Sequence, residues 1–327
     1  MQIEQLNRDI EKEAQIVKSV LQEVSKVIVG QKEMVDSILM GLLTGGHVLL
    51  EGLPGLAKTL TIATIARATS LGFQRIQFTP DLLPSDLVGT MIFNQKTNEF
   101  TAKKGPIFTN IVLADEINRA PAKVQSALLE AMAEKQVTIG DTTYPLDMPF
   151  LVLATQNPIE QEGTYPLPEA QMDRFMFKTL VKYPNRQEEM MILEGLSTDA
   201  VPSISSMIQR DDVLRIRKLV NQVYIDTKIK NYIVELIFAT RQPREMGLRK
   251  LESLIQIGGS PRATLSLARA SRAHAFLKGR GYVTTDDVKA IAYLVLRHRI
   301  LLTYEAEAED VSSDEVVSEV LNHIEVP

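Results

Sequence analysis

The sequence predicts an α/β protein: a mostly parallel sheet with helices on both faces, followed by a second, all-helical domain. Three observations predict it. Short apolar runs alternate with helical segments between His47 and Tyr183. Two insertions in that stretch alternate residue by residue about turn signals. After Tyr183-Pro184 only helical periodicity remains. Helices between strands imply right-handed crossovers, hence a three-layer parallel sheet. The expected division is 1–184 for the α/β core and 185–327 for the helical domain.

The opening segment reads as a helix, because Leu6, Ile10, Ile16, Val17, Val20, Leu21 and Val24 recur at steps of three, four and seven. Gly30 punctuates it. QKEMVDSILMGLLTGG is a second amphipathic helix, ended by Gly45-Gly46. HVLLEG is a buried strand and KTLTIATIARATS a helix. FQRIQFT and NIVLADE are strands, and APAKVQSALLEAMAEK is a helix starting near Pro121. PFLVLATQN and RFMFKTLVKY are the last two strands. The insertions are VGTMIFNQKTNEFTAKKGPIF, turning at Lys96-Thr97-Asn98, and KQVTIGDTTYPLDMP, turning at Gly140-Asp141. Both read as projecting β-hairpins. In the second domain Ser260 with Pro261 marks one helix start. Thr284 or Thr285 with Asp286 and Asp287 marks another. The acidic tail turns amphipathic through Val316, Val317, Val320, Leu321 and Ile324.

Composition narrows the function classes. A net charge of -5 argues against a chain whose main work is neutralising nucleic-acid phosphates. With no cysteine, neither disulfides nor thiolate metal sites can form. His47, His274, His298 and His323 lack ligand spacing and read as packing or surface residues. The N-terminus is polar, and no apolar run approaches the roughly 18 residues of a membrane span. The expectation is a cytoplasmic protein without membrane insertion.

Chemistry enters with EGLPGLAKT, Glu51–Thr59. It nearly matches the phosphate loop G-x-x-x-x-G-K-[ST], in the required place between a strand and a helix. Gly52, Pro54, Gly55, Leu56, Ala57, Lys58, Thr59 and Leu60 form the loop and first turn. Inward backbone N–H groups and the helix N-terminus would cradle phosphate oxygens. Lys58 would reach the β- and γ-phosphates, and the Thr59 hydroxyl would ligate magnesium. IVLADE then places Asp115 and Glu116 at the carboxyl end of a buried strand, the edge where such sheets bind ligands. Asp115 can hold magnesium, through water, and Glu116 can act as general base. Asn157, in ATQNP, either orients the lytic water or starts a turn. Arg174 and Arg262 carry guanidinium forks suited to a phosphate gaining charge, or else make structural ion pairs.

In order, VGQ, GLPGLAKT, TPDLLPSDLVGT, LADEINRAP, ATQNP, LPEAQMDRF, SPRA and RHRI resemble the AAA+ ATPases of the P-loop NTPase class, and within them the MoxR family (AAA_3 type). The likeness covers nearly the whole chain. It implies a sheet order of 5-1-4-3-2, and hairpins that are the helix-2 and pre-sensor-1 inserts, facing a ring pore or a partner. It implies Asn157 as sensor 1, Arg262 as sensor 2, and Arg174 as an arginine finger inserted into a neighbouring subunit's site. Val29, Gly30 and Gln31 would line the adenine pocket. ATP or ADP with Mg2+ would be bound in a homo-oligomeric ring, most often a hexamer. Members of this family are regarded as chaperone-like, maturing protein complexes, methanol dehydrogenase among them, often with von Willebrand factor A domain partners.

Three alternatives stand beside an ATP-driven remodeller. A nucleic-acid motor is favoured only by Lys96, Lys103 and Lys104, and nucleic acid is not the expected partner. A metal-chelatase motor subunit would declare itself by its partners. A nucleotide-gated scaffold that hardly hydrolyses is motivated only by Ala57, where the loop pattern has glycine. Alanine is tolerable there if its backbone is right-handed helical. The expectation is therefore a helical Ala57, and an Ala57→Gly variant that keeps nucleotide binding. A left-handed Ala57 would point to a degraded loop.

Overall fold

The computed structural model describes all of the chain except residues 1, 97, 160–162 and 197–201. Thr97, expected in the first hairpin turn, lies outside the described residues. Two helices, α1 (Gln2–Val24) and α2 (Lys32–Thr44), precede the sheet. Gly45 ends α2 in the left-handed conformation, φ 70°, and its N–H donates to the Gly41 carbonyl.

The body then alternates as expected: β1 (Val48–Glu51), α3 (Lys58–Ala68), β2 (Phe73–Gln77) and the short α4 (Pro84–Val88). The hairpin β3 (Gly89–Asn94) and β4 (Glu99–Lys104) follows, then β5 (Ile111–Asp115) and α5 (Ala122–Glu134). A second hairpin, β6 (Gln136–Ile139) and β7 (Thr142–Pro145), leads to β8 (Leu151–Gln156), α6 (Glu169–Met172), β9 (Phe177–Leu180) and α7 (Arg186–Leu196).

The five-stranded sheet runs β2-β5-β8-β1-β9. With the hairpins set aside this is the order 5-1-4-3-2, read from the other edge. The pairs β2·β5, β5·β8 and β1·β8 are parallel. Val48, Leu49, Leu50, Ile111–Ala114 and Leu151–Ala154 are fully buried, so these strands read as unbroken apolar runs rather than alternating ones. The edge strand β2 is only partly covered. Parallel register brings Glu51 opposite Gln156 and Gln77 opposite Asp115, which gathers their polar ends at one edge. In the β6–β7 hairpin Ile139 pairs with Thr142 across Gly140-Asp141, and Gly140 takes the positive φ, 60°, that such two-residue turns need.

The remaining elements are α8 (Arg210–Gln222), α9 (Thr227–Arg241), β10 (Ile255–Ile257), α10 (Pro261–Leu277), α11 (Thr285–Leu296), β11 (Leu301–Leu302), α12 (Tyr304–Ala308) and α13 (Ser313–His323). Caps set the starts as the sequence predicts. The Ser260 hydroxyl accepts from the Arg262 N–H at 3.1 Å, with Pro261 at the first position of α10. Thr284 and Asp287 form a reciprocal capping box on α11. The tail positions Val316, Val317, Val320, Leu321 and Ile324 are all buried. The sequence reading contained no strand here, yet β10 and β11 form a short antiparallel pair. Three and two residues are too few for any period to show.

The chain divides into two compact units. One comprises Ser19–Arg174 and Thr179–Leu214; the other comprises Met1–Lys18, Phe175–Lys178 and Arg215–Pro327. Among the described residues no helix is long and apolar enough to cross a membrane.

Candidate nucleotide site

The loop between β1 and α3 is tightly backed. A Cβ on Gly52 would lie 2.7 Å from the Val181 carbonyl oxygen, so no side chain fits there. The Gly52 carbonyl accepts from Lys58 Nζ at 2.6 Å. Burial lowers the pKa of the Lys58 ammonium, while Asp115 and Glu116 push it up.

Ala57 corrects an expectation. Its backbone is left-handed, φ 55° and ψ 20°, not right-handed helical. The residue is the N-cap of α3, so it lies outside the helical dihedrals while its carbonyl already accepts helix bonds. The Thr61 N–H and the Thr61 hydroxyl both donate to that oxygen at 2.9 Å. The position therefore calls for positive φ, which explains the glycine of the general pattern. Alanine can hold it at a cost of roughly 1–2 kcal/mol. A left-handed Ala57 was the sign expected of a degraded loop, and that sign is present. The conformation by itself does not dismantle the loop, since Lys58 and Thr59 still face the same cavity as Asp115 and Glu116.

Asp115 and Glu116 close the far side. Thr155, buried on β8, donates its hydroxyl to Asp115 Oδ1 at 2.6 Å and accepts from the Glu116 N–H at 2.8 Å. Arg75 reaches from β2 to Asp115 Oδ2 through Nε at 2.9 Å and Nη2 at 2.7 Å. Gln77 Nε2 and Arg119 Nη1 donate to Glu116 Oε2 at 2.7 and 3.0 Å. Glu116 itself sits at φ 56°, a left-handed conformation that costs energy and turns the side chain off the strand line. Asn157 lines the cavity and also starts a turn, since its Oδ1 accepts from the Ile159 N–H at 3.3 Å. The turn reading of that residue holds, and the same residue faces the cavity.

The cavity has a volume of about 410 Å³. It gathers Pro54, Gly55, Leu56, Ala57, Lys58, Thr59, Leu60, Asp115, Glu116 and Asn157, with Arg75 and Thr155 added. Arg75, Gln77, Arg119 and Thr155 were missed by sequence reasoning. A threonine inside the apolar run LVLAT and an arginine inside FQRIQ were the available signals. Val29, Gly30 and Gln31 do not line this cavity. Gly30 and Gln31 take positive φ, 69° and 52°, and Gln31 Nε2 donates to the Lys182 carbonyl at 3.0 Å. Arg174 lines a separate cavity of about 290 Å³ with Glu130, Glu134 and Gln171, and its Nη1 donates to the Leu129 carbonyl at 3.0 Å. Arg262 is exposed on the first turn of α10, in the helical unit.

Among the described residues no three His, Asp or Glu side chains gather as a metal cage. The donors near the loop suit magnesium, which takes one or two protein oxygens and completes its shell with phosphates and water. Each Asp115 oxygen carries hydrogen bonds from one neighbouring residue, Oδ1 from Thr155 and Oδ2 from Arg75.

Residues 47–177 match the ATPase family associated with various cellular activities (AAA), and residues 251–320 match the AAA lid domain. The chain is 48% identical to Chaperone MoxR1 of Mycobacterium tuberculosis over 93% of its own length and 81% of that protein. It is 44% identical to the protein YeaC of Bacillus subtilis over 94% and 93%. A crystal structure of a candidate ATPase from Cytophaga hutchinsonii superposes with a TM-score of 0.92 at 53% identity, covering 99% of this chain and 98% of that one. The chain belongs to the AAA ATPase family, on its MoxR branch.

Proposed function

We propose that this protein binds ATP at the β1–α3 loop and hydrolyses it to ADP and phosphate. The observation that carries the reading is the convergence of Lys58, Thr59, Asp115, Glu116 and Asn157 on one cavity at the carboxyl edge of the sheet. The Thr59 hydroxyl and the Asp115 carboxylate would hold magnesium, which when bound withdraws charge from the phosphate oxygens. Lys58 leaves the Gly52 carbonyl for the β- and γ-phosphates. Glu116 takes the proton of the attacking water; Gln77 and Arg119 donate to Oε2, which leaves Oε1 for that water. Asn157 orients it. Thr155 keeps the two carboxylates in register.

In this reading the site is completed by another copy. Arg174 does not line its own chain's nucleotide cavity, as a finger acting in a neighbour's site would not. We assign the copies to a ring, a hexamer by family likeness, with Arg262 as the lid's phosphate sensor and Val29, Gly30 and Gln31 against the adenine. The functional division runs at 184, between the core and the lid of residues 185–327. The work is chaperone-like remodelling or maturation of protein complexes in the cytoplasm, with von Willebrand factor A domain proteins as the partner class. Lys104 supports a protein partner over nucleic acid. Its ammonium lies 4.7 and 5.2 Å from the Phe108 and Tyr144 ring centres, engaged within the fold.

The test is turnover with Glu116→Gln. It should keep nucleotide binding and lose about 10²–10⁴-fold in rate, the usual worth of a general base. Turnover like the native protein's would remove Glu116 from that role.

A further inference from the structure

The RHRI run near the end of α11 has no part in the site described above. Its three basic residues nevertheless converge on one short segment within the helical unit. Arg299 is 7% exposed, and its Nη2 and Nη1 donate to the carbonyls of Phe175 at 2.6 Å and Met176 at 3.1 Å. His298, also buried, donates Nε2–H to the same Phe175 carbonyl at 2.9 Å, since a carbonyl can only accept. Arg297 Nη1 donates to the Lys178 carbonyl at 3.2 Å, and its Nε and Nη2 grip both oxygens of Asp314 at 3.0 Å. Phe175 and Phe177 are themselves fully buried. Burying a guanidinium is costly, and a planar fork addressing successive carbonyls fixes backbone position more than it adds stability.

The clamped segment begins at the residue directly after Arg174. We infer that Arg297, His298 and Arg299 form a clamp that positions the arginine finger through its backbone. They are positioning residues, acting on a neighbour's site without touching nucleotide. The inference rests on the reading of Arg174 as a finger in trans. Loosening the clamp leaves a subunit's own pocket intact but makes it a poor finger donor.

The experiment is Arg299→Lys in the full chain, which keeps the charge and loses the fork. Alone, it should bind nucleotide within about threefold of the native protein and turn over at least about tenfold more slowly. Adding Glu116→Gln subunits, with a dead site and an intact finger, should restore turnover in the Arg299→Lys sites. Normal turnover by Arg299→Lys alone, or a loss that Glu116→Gln subunits do not repair, would overturn the clamp. Arg174→Ala mixed with Glu116→Gln is the control. If that pair also fails to recover, the trans reading of Arg174 falls, and amide exchange decides the clamp separately. Exchange at residues 175–178 should then accelerate at least about tenfold in Arg299→Lys; unchanged exchange would overturn it. Should Arg299→Lys fail to fold, Asp314→Asn, which loosens Arg297 from a partly exposed position, should show a smaller loss repaired in the same way; normal turnover there, or no repair, would count against the clamp.

Discussion

Ala57→Gly isolates the one residue that departs from the phosphate-loop pattern. At φ 55° and ψ 20° alanine bears roughly 1–2 kcal/mol of left-handed strain. Glycine removes that strain but gives back about 0.4–1 kcal/mol through the freer unfolded chain. The variant should therefore be more stable by about 0.5–1 kcal/mol, a melting shift of a few degrees at most. Nucleotide affinity should stay within about threefold, because the Ala57 carbonyl is already pinned by Thr61 and the loop need not rearrange. Thermal unfolding and a fluorescent-nucleotide titration measure the two quantities. A tenfold gain in affinity, about 1.4 kcal/mol, would mean that alanine holds the empty loop out of shape. The degraded, scaffold-like reading would then return.

Other outcomes follow from the same geometry. Thr155→Val should slow turnover by about ten- to a hundredfold with little loss of fold, since it frees the Asp115 oxygen and the Glu116 N–H together; steady-state ATPase assays decide it. Asp287→Asn should destabilise the helical unit by about 3–5 kcal/mol in denaturant melts, because His274, Arg280 and Thr284 all bond that buried carboxylate. Burial alone would raise the Asp287 pKa, but those bonds hold it well below the usual range. Its contribution is thus complete above about pH 4 and is lost as pH falls further. His298 has the opposite charge type but the same direction. Burial, then Arg299, lower its pKa, so the unfolded chain binds the extra proton. Stability should fall by up to about 1.4 kcal/mol per unit as pH drops below about 6.5, and His298→Gln should flatten that slope.

Much of this was legible in the sequence because burial writes itself plainly there. Val48–Leu50, Ile111–Ala114 and Leu151–Ala154 are central strands covered on both faces, and each appears as an apolar run of fitting length. Gly140-Asp141, Ser260-Pro261 and Thr284 mark turns and caps by chemistry that acts within a few residues. What escaped depends on register or dihedral angle. Arg75 and Thr155 meet Asp115 only because three parallel strands align, and nothing local to FQRIQ or LVLAT states that alignment. The backbone of Ala57 is dictated by the β1–α3 turn as a whole, so the rule that a Cβ disfavours positive φ misled the reading. The RHRI run was visible as a motif, but its targets lie over a hundred residues earlier.

The central claim is a nucleotide site completed by a second copy, and mixing two inactive variants tests it most directly. Glu116→Gln has a finger but no base; Arg174→Ala has a base but no finger. Each alone should be close to inactive. Mixed in equal amounts and reassembled, about a quarter of the interfaces would pair an intact site with an intact finger, and ATP turnover should recover to about that fraction of the native rate. A mixture as inactive as its parts, or an Arg174→Ala protein that hydrolyses normally by itself, would contradict the account.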